Sequence, residues 1–159
     1  MSTRFQGYPL DQNPYVIRVG KFDWWKIPCS PSWYRFLRFK DGKPNPVAVC
    51  LLMEVVNRYQ PIKETDEDGE MMEWRKRFPG TWMKLDYERL CRKYNFSKRQ
   101  FEDASAMLRE KGLIETHVVL EEQKENVWAS VSFIEPRLAE IEQISLRINP
   151  EEDEFENCK

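Results

Sequence analysis

A helical period of apolar residues first becomes clear after Asn45, where Ala48, Leu51, Leu52, Val55 and Tyr59 fall at three-and-four spacing. Asparagine is a favourable N-cap, and Pro46 at the first helical position gives up only an N–H that would have no helical partner. Pro61 ends the helix. Ahead of it, residues 22–40 (FDWWKIPCSPSWYRFLRFK) are aromatic and interrupted by Pro28 and Pro31, which predicts short extended segments or one short helical turn. Residues 1–21 read as irregular, and Asp41-Gly42 as a turn. Residues 62–80 are polar and acidic around Asp68-Gly69. They form either a hairpin, pinned to the body by Trp74 and Phe78, or a disordered loop.

The stretch 82–134 is the most regular. Trp82–Lys84 predicts a short strand, and Asp86 caps a helix through DYERLCRKYNF whose Tyr87, Leu90 and Tyr94 face inward. Asn95, Phe96 and Ser97 form a tight turn, and Ser97 with Gln100 opens the next helix as a capping box. That helix carries Phe101, Ala104 and Leu108 inward to Lys111, where Gly112 supplies the left-handed residue that stops it and Leu113 and Ile114 cover its end. THVVL and NVWASVSF read as two strands joined by EEQKE, with Val127, Ala129, Val131 and Phe133 alternating on one face. Pro136 introduces a last helix with Leu138, Ile141, Ile144 or Ser145, and Ile148 along one stripe. The stripe is either core or the seam of a homodimer through 137–148. The expected fold class is α+β, mainly α. It divides into a basic, aromatic extension (1–43), a central domain (44–134), and a C-terminal helix with an acidic, solvated tail (135–159).

Helix, tight turn, capped helix, Gly-Leu-Ile and hairpin follow the order of a winged helix-turn-helix. The run LDYERLCRKYNFSKRQFEDASAMLREKGLI resembles the core of bacterial winged-helix proteins, SKRQF…LREKGLI being its specific part. The KPNP entry, with FDWWKIP before it, is similar to the N-terminal domains of phage and plasmid replication proteins, the replisome organisers and the DnaD-like group. The resemblance implies a non-catalytic DNA-binding protein of the replication-initiation or regulatory kind, its second motif helix lying in the major groove. Lys98, Arg99 and Gln100 would read the groove, Arg92 and Lys93 would hold the phosphate backbone, and the hairpin tip with Lys124 would lie near the minor groove. Glu102, Asp103, Glu121, Glu122 and Glu125 depart from that pattern, because carboxylates oppose phosphates. The rival reading is a protein-interaction winged helix, a subunit or adaptor of a nucleoprotein complex that does not itself read DNA.

Composition narrows this further. A chain of 159 residues with 41% hydrophobic and 33% charged residues can bury a core and is globular. The net charge of −2 conceals an asymmetry of +6 over residues 1–63 and −5 over 134–159. Trp24, Trp25, Trp33, Tyr34, Phe36 and Phe39 interleave with Lys26, Arg35, Arg38 and Lys40. That pattern suits stacking on unpaired bases, or contact with a partner, although the same aromatics also serve as core. Cys29, Cys50, Cys91 and Cys158 show no paired spacing and His117 stands alone, so neither a metal site nor a cofactor is expected. No nucleophile elbow or Gly-rich phosphate loop is present, and no enzyme activity is expected. Scattered cysteines, no signal-like segment and no long apolar run place the expected protein in the cytoplasm, off the membrane.

Overall fold

The computed structural model describes residues 29–146, so Trp24, Trp25, Lys26, Ile148, Cys158 and the acidic tail lie outside the described residues. The described residues form an α+β fold with the elements α1 (Pro31–Phe36), α2 (Pro46–Tyr59), β1 (Ile62–Thr65), β2 (Met71–Arg75), β3 (Met83–Lys84), α3 (Tyr87–Tyr94), α4 (Lys98–Glu110), β4 (Ile114–Lys124), β5 (Val127–Pro136) and α5 (Leu138–Leu146).

The caps read from the sequence are the caps that form. Asn45 accepts the Ala48 N–H, Asp86 accepts the Arg89 N–H, and Ser97 and Gln100 close a reciprocal capping box at α4. Asn95 takes the left-handed conformation that reverses the chain between α3 and α4, and Gly112 (φ 71°) does so after α4. α2 runs through the centre, with Ala48, Leu51, Leu52 and Val55 fully buried against Phe101, Ala104 and Leu108 of α4. Each such burial contributes roughly 1.5–3 kcal/mol for the larger side chains. β3, β5 and β4 form an antiparallel sheet in that order, with Ile134 of β5 fully buried at its base.

Between Pro28 and Lys40 the chain forms a helix rather than extended segments: α1 docks on α5 within the same chain. Ser32 Oγ donates to the Ile144 carbonyl (2.6 Å), and Trp33 Nε1 donates to Ser145 Oγ (2.8 Å). Ile141 and Ile144 are therefore core. Leu138 departs from the expected stripe and is 59% exposed, because α1 covers only the middle and end of α5. What that leaves for a homodimer through this helix is Leu138 and its neighbours.

The 62–80 segment is a hairpin, β1 with β2, turned by Asp66 and Gly69. Phe78 pins it by packing on Tyr59 (ring centroids 4.7 Å), and Trp74 is 53% exposed. The second hairpin is longer than expected. β4 and β5 pair out to Lys124↔Val127, so most of EEQKE is strand and the tip is Glu125-Asn126, with Asn126 left-handed (φ 61°). Its burial also differs from the predicted alternation. Val131 is buried, but Val127 is exposed and Ile134, on the opposite face, is the most deeply buried residue of β5. The reason is geometric: the outer half of the hairpin extends beyond the helices, and its inner half is covered on both faces.

Candidate functional site

Three surfaces carry polar or exposed apolar groups in an arrangement that core packing does not explain. The first is the face made by the α3–α4 turn and the hairpin. The first turn of α4 is open to solvent, and there Lys98 meets Glu102 (3.7 Å) and Arg99 meets Asp103 (4.0 Å) one helical turn on. Gln100 Oε1 accepts the Ser97 N–H (2.8 Å), which leaves its amide nitrogen to make outward contacts. A paired acceptor-and-donor contact to adenine is thereby withdrawn. Arg92 is exposed on the last turn of α3. Lys93 is diverted from the role expected of it: its ammonium bonds the carboxylate of Glu54, a buried residue of α2 that also accepts a hydrogen bond from Tyr94 (2.6 Å). Burial, and that carboxylate partner, push the Tyr94 hydroxyl well above the usual phenol range and keep it a donor. Lys124 stands exposed beside the hairpin tip.

Next to α4 the hairpin presents apolar side chains. The strand register puts Val118, Leu120 and Trp128 on one face, and they are 68%, 65% and 61% exposed. Thr116, on the same face, accepts a hydrogen bond from Arg109 of α4 (3.3 Å), which ties this strip to the helix.

The second surface lies on the opposite face of the sheet. A groove of about 760 Å³ opens there between the end of α2, β3, the start of α3 and the outer side of β4 and β5. Arg58, Arg77, Lys84 and Arg89 line it together with the rings of Phe78, Trp82 and Phe133, against two carboxylates, Asp86 and Glu121. Trp82 is stacked on His117 (centroids 3.8 Å apart, planes within 10°). None of these cations was singled out from the sequence, because they come from four separate segments. A signal was nevertheless present: WRKRFPGTWMK, residues 74–84, interleaves basic and aromatic residues as residues 24–40 do.

The third is a group of Glu115, His117 and Glu135, whose ligand atoms lie within 4.8 Å of one another. His117 is therefore not isolated. Glu115 shares its strand face two residues away, and the pairing of β4 with β5 adds Glu135 from the neighbouring strand, which no local spacing shows. A histidine with two carboxylates could hold a transition metal. Here the group satisfies itself: His117 Nε2 bonds Glu135 (2.9 Å), and Arg137 pairs with Glu115 (2.5 Å).

The N-terminal basic and aromatic segment divides. Trp33 is buried and Leu37 fully so, whereas Tyr34, Phe36 and Phe39 are exposed. Arg38 is occupied in closing the loop after α1, donating to the carbonyls of Arg35 (2.8 Å) and Gly42 (3.3 Å). Lys40 stands exposed in the turn beyond it. Cys29, Cys50 and Cys91 are free thiols, and burial raises the first two above the ordinary thiol range, away from nucleophilic use. No helix of the described residues is long and apolar enough to cross a membrane.

In comparisons with family models, with curated protein sequences and with solved structures, nothing matches this chain.

Proposed function

We propose that this chain is a winged helix-turn-helix protein that binds DNA without catalysis, in replication initiation or regulation. The observation that carries the reading is the arrangement around α4. A tight left-handed turn delivers a capped helix whose Lys98, Arg99 and Gln100 are exposed, and a projecting hairpin follows it at once, in a sheet of order β3-β5-β4. α4 would be the recognition helix and the hairpin the wing.

The ion pairs on α4 temper this reading without removing it. Lys98 and Arg99 are 70% and 88% exposed, and exposed pairs one turn apart on a helix are worth only about 0.3–0.5 kcal/mol. A phosphate can displace so weak a partner. The carboxylates then remain beside the DNA and limit affinity, so that binding would be modest and strongly dependent on salt.

The experiment is a pair of opposed substitutions, read by duplex-DNA titration at two salt concentrations. Lys98→Ala with Arg99→Ala should weaken binding about tenfold and flatten the log–log salt slope by nearly two units, one for each lost phosphate contact. Glu102→Gln with Asp103→Asn should strengthen binding severalfold, since two repulsive carboxylates leave a face that is otherwise unchanged. If neither pair moves the affinity, the face does not read a groove.

The exposed strip of Val118, Leu120 and Trp128 favours a second reading, in which this face engages a protein partner and the chain acts as an adaptor. Trp128→Ser would then abolish partner binding.

A further inference from the structure

We propose that the groove between α2, β3 and the outer face of the hairpin is a site for single-stranded nucleic acid. Its phosphates would lie on Arg58, Lys84 and Arg89 and a base would pack against Trp82. This does not rest on the reading of α4, which lies on the other side of the sheet.

Several cations elsewhere in the described residues pair with carboxylates: Lys93 with Glu54, Lys98 with Glu102, Arg99 with Asp103, Arg75 with Glu64 and Glu73, and Arg137 with Glu115. Arg58, Lys84 and Arg89 converge from three elements on one groove, and none of them forms a side-chain ion pair among the described residues. Arg77 joins them in the lining, its Nε donating to the Gln60 carbonyl (3.0 Å). Of the two carboxylates present, Asp86 is engaged in capping α3. Four cations against two carboxylates leave the groove lining net positive, and an anion entering it is attracted there.

Shape and aromatic content then select among anions. Trp82 is fixed by its stack on His117, so a base that extends the stack orders no new side chain. Stacking of this kind contributes about 1–3 kcal/mol per base and tolerates any base, because every base has a π-face. A duplex keeps its bases stacked on each other and offers no free face. A phosphoserine or phosphothreonine peptide has the phosphate but not the ring, and a phosphotyrosine carries one phosphate where the groove offers three or more cations. The volume of about 760 Å³ is that of a ligand cleft, and its opening to solvent lets a strand run through it.

A free nucleotide shares this chemistry, and the experiment separates the two sources. Fluorescence anisotropy of a short labelled oligothymidylate is measured with the full chain, with thymidine monophosphate and an unlabelled duplex as competitors. Binding through three phosphates should weaken roughly twentyfold between about 50 and 200 mM salt. Lys84→Gln with Arg89→Gln, both at exposed positions, should weaken it at least tenfold and lower the salt slope by about 1.4 units, with circular dichroism and melting unchanged. Trp82→Phe, which keeps an aromatic ring, should retain more affinity than Trp82→Leu. An affinity that the double substitution leaves within twofold overturns the proposal, as does a duplex that competes better than the single strand. A mononucleotide competing as well as the oligomer assigns the groove to free nucleotides and overturns the strand.

Discussion

Replacing Phe101 with alanine is expected to destabilise the fold by about 3–5 kcal/mol, the range for removing a fully buried aromatic ring. The ring has no exposed surface and sits where α4 meets α2. Phe96 lies edge-on at 5.9 Å and Tyr94 is tilted against it at 6.5 Å. Both neighbours belong to α3 or to the turn after it, so the cavity would loosen the helix–turn–helix unit as well as the core. Against a total stability of about 5–15 kcal/mol this is a large fraction, and the melting temperature should fall by roughly 10 °C. Urea denaturation gives the free energy directly. Phe39, 46% exposed, supplies the contrast, and its alanine variant should change stability by less than about 0.5 kcal/mol.

Lys93→Met should cost about 2 kcal/mol, whereas Arg92→Ala, next to it, should cost almost nothing. The two residues look equivalent in the sequence, as neighbouring cations at the end of a helix. They differ in what faces them. Lys93 reaches Glu54, whose side chain is 4% exposed, and methionine would keep the stem while removing the charge. Breaking a fully buried pair costs about 3–5 kcal/mol and an exposed one less than about 1. Lys93 is 38% exposed and Tyr94 still donates to the carboxylate, so the intermediate value is expected. A change below about 0.5 kcal/mol in urea denaturation would show that Glu54 does not depend on Lys93. Lys93 would then be available for phosphate, as the sequence suggested.

Local signals carried the helices into the sequence almost intact. Asn45-Pro46, Asp86 and the Ser97–Gln100 box mark helix starts by hydrogen bonds within four residues, so nothing distant has to be known. The ion pairs Lys98–Glu102 and Arg99–Asp103 were legible in the same way, as a spacing of four on one helix, although their charges read first as a departure from a DNA-binding pattern. What did not show was set by tertiary packing. Leu138 and Ile144 belong to one apolar stripe, and only the docking of α1 decides that Ile144 is buried and Leu138 is not. The hairpin tip moved because a two-residue turn with Asn126 in the left-handed region lets the ladder extend to Lys124, through residues whose charge reads as loop. The groove of Arg58, Lys84 and Arg89 was out of reach for the same reason as the Glu115–His117–Glu135 group. Both are assembled by strand register and helix packing from positions far apart in the chain.

Hydrogen–deuterium exchange of the chain with and without a short DNA duplex at low salt tests the central claim most directly, because it reads where the duplex sits. The account predicts slower exchange in the first two turns of α4, residues 98–104, and along the outer hairpin, residues 118–128, with the protection fading as salt is raised. Saturating duplex that protects neither segment, or that protects only residues remote from both, would contradict it.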